Sequence, residues 1–375
     1  MTTALTRRHL LTTALAAGVA LPLGAGRAAA APARLTLPAP TGPHPVGTVS
    51  MHLGDRGRPG REMMASFWYP ARDVRRHPVA PWLAAAPLRE LLAANGLDPD
   101  IASPLTAGHE GAAVLTGGPR PVVVFSHGSN GHRSETTIVV QELASHGYVV
   151  VTVDHPDDSF SEFPDGRVTV PSEDDNGTPW DHAHDVRNLL DRIADLAGGR
   201  NPDLQRRPLP ANLAGALDLH RIGMFGWSKG ATATALVMNT DRRVRAGLSF
   251  DGPMLSQPRP AAIDRPFMLM TAEFTPCAEE SGVAELWPLL HGWRRQVHAE
   301  GADHGSFCDQ AWLLPQLAAR AAAPLDPAQA VRIQQAYPLA FFDRHLRGQR
   351  QRLLDGPHPD FPEMHFVSSV TCPSA

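Results

Sequence analysis

Lysine is almost absent from this chain, and cysteine is scarce. The 375 residues include 34 lysines and arginines, and only one of these, Lys229, is a lysine. We interpret the arginine bias, together with the abundance of alanine, proline and glycine, as a compositional effect, so most arginines are assigned no special role. The three cysteines lack the C-x-x-C spacing of zinc and redox sites, and none has a catalytic context, which disfavours a cysteine nucleophile.

Long apolar runs and basic tracts are also missing. Beyond the N-terminus no segment reaches the length of a membrane helix, and no basic run with interleaved aromatic residues marks a nucleic-acid groove. The net charge is -4, and 43% of the residues are hydrophobic, which is enough to build a substantial core. We expect a soluble globular protein after processing, with no nucleic-acid partner.

The N-terminus has the layout of an export signal. Arg7-Arg8 precedes an apolar run at 10–23, and a small-residue stretch at 28–31 supplies an A-x-A-like cleavage site. The arginine pair followed by leucines is typical of a twin-arginine signal, whereas a membrane anchor is disfavoured because the run is short and rich in alanine, threonine and glycine. We predict that residues 1–31 are cleaved after passage through the twin-arginine machinery, giving a secreted, extracellular or periplasmic protein.

The rest of the chain alternates between strand-like and helix-like segments. After a predicted hairpin comes a long excursion at 79–119 that contains one helical piece. Residues 121–128 and 148–155 are continuous apolar runs, which are typical of strands buried on both faces of a parallel sheet. Helical patterns alternate with such strands as far as residue 347. We predict one α/β domain at 32–375, with a mainly parallel central sheet and helices on both faces.

The pentapeptide Gly226-Trp227-Ser228-Lys229-Gly230 is a G-x-S-x-G motif. A strand pattern precedes it and a helix pattern follows it, which is the context that a nucleophile elbow requires. A tight strand-to-helix turn crowds its neighbours, so glycines fit at both flanks. The alternative is a helix N-cap serine beside two turn glycines. Because both flanks match, we favour Ser228 as a nucleophile.

A serine hydroxyl needs a base to accept its proton. His304 is favoured because it lies in a glycine-containing loop just after a predicted strand. The other histidines considered are assigned to helices, to strands or to the segment after the last helix: His291, His298, His345 and His358. His304 is therefore the predicted base.

The base in turn needs a carboxylate to orient it, which comes from a loop after a later strand. Asp251 follows directly on the strand that comes after the nucleophile helix. Asp303, Asp264 and Glu273 are weaker candidates, and an ordinary Asp-Gly turn is the alternative interpretation of Asp251. Asp251 is the predicted acid.

The same chemistry needs two backbone N–H groups that stabilise the oxyanion. One is predicted to be the amide of Lys229, directly after the nucleophile, and the other the amide of Ser129, in the loop at 125–133. The mechanism requires the amide of Lys229 and makes no demand on its ammonium. One hypothesis for the ammonium is that it holds an anionic head group at the pocket mouth. No metal or organic cofactor is required.

These pieces resemble the platelet-activating-factor acetylhydrolase-like branch of the α/β-hydrolases, to which bacterial polyester hydrolases and cutinase-like lipases are related. The resemblance covers roughly 45–347. It rests on the segments FWYPA, VVVFSHGSNGHR, GYVVVTVDHPDDS, GMFGWSKGA, LSFDGPM, GADHGSF and AFFDRHLRG. In that family the acid follows the nucleophile by 23 residues, which is the spacing of Ser228 and Asp251 here. The family's histidine and oxyanion amide match His304 and Ser129.

The resemblance implies a serine esterase that removes short or oxidised acyl groups from glycerophospholipids or similar esters, with transient contact to a lipid surface. The export signal adds the expectation that this esterase is secreted. Two departures concern the acyl pocket: Trp227 stands where the family often has histidine, and Lys229 where it often has an apolar residue. Polyester or general lipase activity is the alternative within this chemistry. A serine peptidase would usually need a propeller or a large cap. A catalytically dead hydrolase fold used for binding is the non-enzyme alternative.

Cysteine pairing is a separate expectation. In an exported protein a disulfide is permitted, and three cysteines allow one pair. Cys277 and Cys308 both follow elements near the carboxyl edge of the predicted sheet, so we consider them a candidate disulfide. Cys372 is the competing partner, and the sequence alone leaves both pairings open.

Acidic residues at 157–158 and 173–175 raise the question of a calcium site. They lie in a polar, proline-containing stretch at 156–180 that we interpret as a surface loop. Exposed acidic residues are usually solvated, and we favour a solvated loop over calcium ligands.

Overall fold

The computed structural model describes residues 34–174, 177–317 and 323–367, all within one compact unit, Arg34–Ala375. The predicted export signal and Cys372 lie outside the described residues. The strands are β1 (Val46–Gly54), β2 (Glu62–Pro70), β3 (Val79–Pro81), β4 (Leu105–Glu110), β5 (Arg120–Ser126), β6 (Val149–Val153), β7 (Ser161–Glu162), β8 (Val168–Thr169), β9 (Leu217–Trp227), β10 (Val244–Phe250), β11 (Phe267–Thr271), β12 (Arg294–Ala299) and β13 (Met364–Phe366).

Seven α-helices occur in the described part of the chain. They are α1 (Ala85–Ala94), α2 (Thr137–Ser145), α3 (Pro179–Ala197), α4 (Lys229–Thr240), α5 (Val283–Leu286), α6 (Gln310–Gln316) and α7 (Pro327–Leu346). None of the helices in the described ranges combines the length and apolarity needed to cross a bilayer.

Eleven of these strands form one sheet in the order β13-β12-β11-β10-β9-β5-β6-β2-β1-β4-β3. The central run from β6 through β5, β9, β10 and β11 to β12 is parallel throughout. Parallel neighbours need crossover connections, and the alternating helices supply them. The carboxyl ends of these strands therefore meet at one edge of the sheet, which is where the predicted catalytic residues follow their strands.

Alternate residues of the central strands enter two different cores, because side chains alternate across a strand. Val122 and Val124 pack in the core that contains α3 and α4. Val123 and Phe125 pack in the opposite core, which contains α2 and α7. All four side chains are fully buried. Burial on both faces explains the continuous apolar run at 121–125, and it confirms the predicted helix layers on both faces of the sheet.

The excursion at 79–119 is more ordered than the sequence predicted. It contains the expected helix, α1, but also β3 and β4, which extend the sheet beyond the β1–β2 hairpin. These strands were missed because three to six residues with little apolar alternation give a weak pattern. Leu88 and Leu92 of α1 pack with Trp82 and Leu83 in a small third core.

The stretch at 156–180 is not simply a surface loop. Asp158, Ser159, Phe160 and Ser161 are buried, and β7 and β8 form a short hairpin within the stretch. The polar composition is misleading because these polar atoms are hydrogen-bonded inside the molecule at the carboxyl edge of the sheet, so they need no water.

Candidate active site

Ser228 lies on the turn between β9, which ends at Trp227, and α4, which begins at Lys229. Its backbone angles are φ 56° and ψ -122°, a conformation that a residue with a side chain rarely adopts. The flanking glycines make the turn possible: a Cβ at Gly226 would overlap the carbonyl of Gly230, and a Cβ at Gly230 would overlap the carbonyl of Ser126. Ser228 thus has the strained geometry of a nucleophile elbow, which projects its hydroxyl above the sheet.

Asp251 and His304 meet at the same edge of the sheet. Asp251 follows β10, and the Nδ1–H of His304 donates to its Oδ2 at 2.7 Å. The backbone N–H groups of Ala272, Glu273 and Phe274 donate to the same carboxylate, at 2.7, 3.3 and 3.0 Å. The carboxylate of Asp251 thus accepts four hydrogen bonds, and one of the four donors is the ring of His304. His304 therefore carries its proton on Nδ1 and presents the lone pair of Nε2, as a general base requires.

Two aromatic rings fix the orientation of the His304 imidazole. Trp227 stacks on it at a centroid distance of 4.6 Å, and Phe274 contacts it edge-on at 5.3 Å. The indole N–H of Trp227 also donates to the backbone carbonyl of His304 at 2.9 Å. The tryptophan that departs from the family pattern therefore holds the predicted base in place, directly beside the predicted nucleophile.

The competing acid candidates have other partners. Glu273 accepts the backbone N–H of His304 at 3.0 Å. Asp303 binds the hydroxyl of Ser306 and caps the short 3-10 helix that begins at His304. Asp264 has an exposed carboxylate next to Arg265. Of the four candidates, Asp251 is the one that the structure brings to the imidazole of His304.

The predicted oxyanion loop packs against the nucleophile. A Cβ added at Gly128 would lie 3.1 Å from the Cβ of Ser228 and 2.6 Å from the Trp227 ring, so the loop backbone approaches the elbow closely. The N–H of Gly128 donates to the Glu135 carboxylate at 3.0 Å. Ser129, the predicted donor, follows directly and is exposed at this edge. The loop and the first turn of α4 thus both lie beside Ser228, and Gly230 of α4 packs against the backbone of Ser126 and His127.

Buried histidines, which sequence reasoning had missed, tie the strand ends together beneath this loop. The Nε2 of His127 accepts the backbone N–H of His155 at 3.0 Å, and its Nδ1–H donates to the carbonyl of Gly128 at 2.7 Å. Burial lowers the pKa of His127 to about 3, so the ring stays neutral. His155 bonds Ser126 at 2.8 Å and stacks on His182 at 3.6 Å. These contacts fasten the ends of β5 and β6.

His127, Asp158 and His182 lie close enough together to hold a metal ion, with candidate ligand atoms within 4.8 Å of one another. The residues nevertheless do not fit one. Both ring nitrogens of His127 are engaged, and the ammonium of Lys229 lies 2.9 Å from Asp158. That ammonium supplies the positive charge that a metal would bring, and a second cation beside it would be repelled.

Lys229 points into the protein. Its side chain is 11% exposed, and its ammonium donates to Asp158 at 2.9 Å and to the carbonyl of Gly177 at 3.1 Å. This geometry gives no support to the hypothesis that the ammonium waits at the pocket mouth for an anionic head group.

The candidate disulfide between Cys277 and Cys308 is wrong. Cys308 has a free, fully buried thiol that contacts the carbonyl of Gly305, and burial raises its pKa well above the ordinary value. Cys277 is disulfide-bonded and lies on an exposed loop. The expectation failed because the sequence placed both residues near one edge of the sheet but did not show how deeply each of them is buried. One lies at the surface and the other inside the core.

Buried titratable groups around the site predict a maximum of stability near pH 6.5. Burial lowers the pKa of His127 to about 3 and of His132 to about 4, and lowers that of His182 well below its usual value. Burial also raises the pKa of Glu135 to about 8 and of Asp309 to about 7. Between about pH 4.5 and 6.5, unfolding takes up three imidazole protons and releases two carboxyl protons, so stability falls as the pH drops.

Above about pH 6.5 the dependence of folding stability on pH reverses its sign. The unfolded imidazoles are neutral there, and unfolding still releases the protons of Asp309 and Glu135, so stability falls as the pH rises towards about 8. Thermal melts across this range test the prediction. Glu135→Gln should flatten the decline above pH 7. A melting temperature that rises steadily from pH 6 to 8 would contradict the burial of these carboxyls.

Together, this strand order, the strained serine after β9 and the Asp251–His304 pair after later strands define an α/β-hydrolase. The chain belongs to the platelet-activating factor acetylhydrolase, isoform II, family, whose model matches residues 29–164 and 187–355. It is also similar to the solved structure of a ferulic acid esterase from Streptomyces cinnamoneus, with a TM-score of 0.76 and 31% identity over 90% of this chain and 100% of that one. The predicted family and fold class are confirmed.

Curated relatives point to the same chemistry. A probable 1-alkyl-2-acetylglycerophosphocholine esterase from Arthroderma benhamiae is 26% identical over 66% of this chain and 66% of its own length. A platelet-activating factor acetylhydrolase from Cavia porcellus is 24% identical over 73% of this chain and 69% of its own length. The chain thus spans about two thirds of these two relatives. The likenesses support ester hydrolysis as the class of reaction.

Proposed function

We propose that this protein is a serine carboxylic-ester hydrolase whose triad is Ser228, Asp251 and His304. The observation that carries the proposal is the 2.7 Å bond between His304 and the fully buried Asp251, next to a serine held in an elbow conformation. Two contacts support their proximity to Ser228. The N–H of Ser228 donates to the backbone carbonyl of Phe250, the residue directly before Asp251, at 3.0 Å. Trp227, the residue directly before Ser228, stacks on the ring of His304.

In the proposed reaction the Oγ of Ser228 attacks the ester carbonyl while the Nε2 of His304 accepts its proton. The amides of Ser129 and Lys229 stabilise the oxyanion, and the N-terminal end of α4 adds its positive dipole. The imidazolium then protonates the leaving alcohol, which leaves an acyl group on Ser228. Water, deprotonated by His304, attacks this acyl-enzyme and releases the acid, and Ser228 regains its proton.

For the substrate, we propose short acyl esters, with an acetyl group on a glycerophospholipid as the first candidate. The family and the two curated relatives support this choice. The second candidate is an ester of a phenolic acid, because the ferulic acid esterase is more similar to this chain, at 31% identity over 90% of its length. Polyester and general lipase activities stay alternatives from the sequence. A catalytically dead binding protein is disfavoured because the elbow and the Asp251–His304 pair are both intact.

We also propose that the protein is exported, with residues 1–31 removed as a twin-arginine-type signal. The arginine pair and the small-residue stretch of the sequence support this proposal. The disulfide at Cys277 also supports it, because such bonds persist in oxidising compartments.

A substrate panel with a matched variant tests the function. We expect the protein to hydrolyse p-nitrophenyl acetate faster than the octanoate, and to release acetate from 1-alkyl-2-acetylglycerophosphocholine. Methyl ferulate measures the second candidate on the same scale. Ser228→Ala should lower kcat by about 10⁶, to near background, because loss of a triad nucleophile removes the covalent route.

Ser256→Ala is the control, since Ser256 follows β10, its hydroxyl donates to the backbone carbonyl of Pro258, and it has no proposed role. It should retain the activity of the unmodified protein. Full esterase activity in Ser228→Ala would refute the triad. No hydrolysis of any ester by the unmodified protein would favour the binding-protein alternative.

A further inference from the structure

One buried carboxylate connects the two proposed oxyanion donors. The Oδ1 of Asp158 accepts the backbone N–H of Asn130, the residue directly after Ser129, at 2.7 Å. The Oδ2 of the same group accepts the ammonium of Lys229 at 2.9 Å. Asp158 therefore bonds Asn130, which directly follows the proposed donor Ser129, and it also bonds the side chain of Lys229, whose backbone amide is the other proposed donor.

The segment around Asp158 also shapes the oxyanion loop. The N–H of Phe160 donates to the carbonyl of Gly131 at 3.0 Å, and Gly131 forms a parallel bridge with Ser159. Asn130 has a φ of 56°, a left-handed conformation that asparagine can adopt, so the loop turns at the residue whose N–H bonds Asp158. The conformation of the loop thus depends on where the 158–160 segment is fixed.

Lys229 fixes that segment to the elbow. Asp158 is 1% exposed and also bonds the Nε2 of His182 at 2.8 Å, but burial lowers the pKa of His182 well below its usual value, so that ring is neutral. The ammonium of Lys229 supplies a positive charge to a buried carboxylate. Removal of one partner from a buried ion pair leaves a charge that the interior cannot stabilise, so the segment would be expected to shift.

We propose that the Lys229 ammonium and Asp158 are positioning residues for the oxyanion hole. The pair holds the oxyanion loop at 125–133 at the distance from α4 at which the amides of Ser129 and Lys229 converge on one oxygen. This inference rests on the proposed function and deepens it. The donors act when negative charge develops on the carbonyl oxygen, so the pair contributes to kcat rather than to ground-state binding.

Lys229→Met tests the proposal because it removes the ammonium and keeps both the backbone amide and a long side chain. We expect kcat for p-nitrophenyl acetate to fall by about 10- to 100-fold, less than the loss of a whole donor, while KM changes by less than about twofold. The inhibition constant of a trifluoromethyl ketone, which forms a tetrahedral oxyanion on the serine, should rise by the same factor as kcat/KM falls.

The double variant Lys229→Met with Asp158→Asn provides the rescue. It removes both charges and keeps an amide oxygen that can accept the N–H of Asn130. It should therefore recover part of the kcat lost in Lys229→Met, which a general loss of stability would not do. Arg221→Met is the matched control, because Arg221 pairs with Asp218 at 2.6 Å near the amino end of β9, at the opposite edge of the sheet. It should leave kcat and KM unchanged.

Unchanged kcat in Lys229→Met would overturn the proposal, as would a raised KM with unchanged kcat, which would mean that the ammonium binds substrate. Strictly additive losses in the double variant would also overturn it. If Lys229→Met does not fold, as judged by circular dichroism, Asp158→Asn alone decides: a fall in kcat with KM retained supports the proposal, and full kcat refutes it. Ser228→Ala distinguishes a failure of this proposal from a failure of the proposed function. If Ser228→Ala keeps its esterase activity, the triad itself is refuted.

Discussion

Asp251→Asn is expected to lower kcat for p-nitrophenyl acetate by about 10⁴, the loss that follows when a triad carboxylate becomes an amide. The carboxylate of Asp251 accepts a bond from His304 and bonds from three backbone N–H groups. An asparagine can turn its NH₂ group towards His304 and bind the lone pair of Nδ1. The proton would then move to Nε2, where the lone pair for Ser228 is needed.

Two matched variants identify the acid. Glu273→Gln keeps an oxygen for the backbone N–H of His304 and should change kcat only a few-fold. Asp264→Asn alters an exposed carboxylate and should have no effect. Steady-state kinetics over a pH series measure all three variants. A loss in Glu273→Gln as large as that in Asp251→Asn, or an active Asp251→Asn, would contradict the assignment of the acid.

Gly226→Ala is expected to destabilise the protein by about 3 kcal/mol or more and to abolish esterase activity, as overpacking against rigid neighbours does. The added methyl would overlap the backbone carbonyl of Gly230 in the first turn of α4. Backbone atoms in a helix cannot move aside as a flexible side chain would. The strand and the helix would have to separate, and the elbow at Ser228 would lose its geometry.

Gly356→Ala is the control for this prediction. Gly356 has open space around the position of a Cβ and no left-handed backbone angle. In a calorimetric scan the melting temperature of Gly356→Ala should stay close to that of the unmodified protein. The melting temperature of Gly226→Ala should fall by several degrees. Equal stability of the two variants would mean that the elbow is not as closely packed as the structure shows.

Much of the fold could be predicted from the sequence because burial on both faces leaves a strong signal. The apolar runs that became β5 and β6 are continuous, and the helix patterns between them are long enough to recognise. The short strands β3 and β4 and the buried part of 156–180 escaped prediction. Their order comes from hydrogen bonds to distant parts of the chain, which a local pattern does not contain.

The candidate site shows the same division. Ser228, Asp251 and His304 could be proposed because each follows a recognisable strand, and strand ends meet at one edge of a parallel sheet. The role of Asp158 could not be found this way, since its partners come from the oxyanion loop, α3 and α4. The sequence marked Lys229 as unusual. Only the side-chain contacts show that its ammonium faces inward.

Covalent trapping of the nucleophile tests the central claim most directly. The unmodified protein is treated with a fluorophosphonate, its esterase activity is followed, and the modified peptide is identified by tandem mass spectrometry. We predict one adduct per chain, on Ser228, that forms in step with the loss of activity and is slowed by an ester substrate. Loss of activity with the adduct on another residue, or full esterase activity after complete modification of Ser228, would contradict this account.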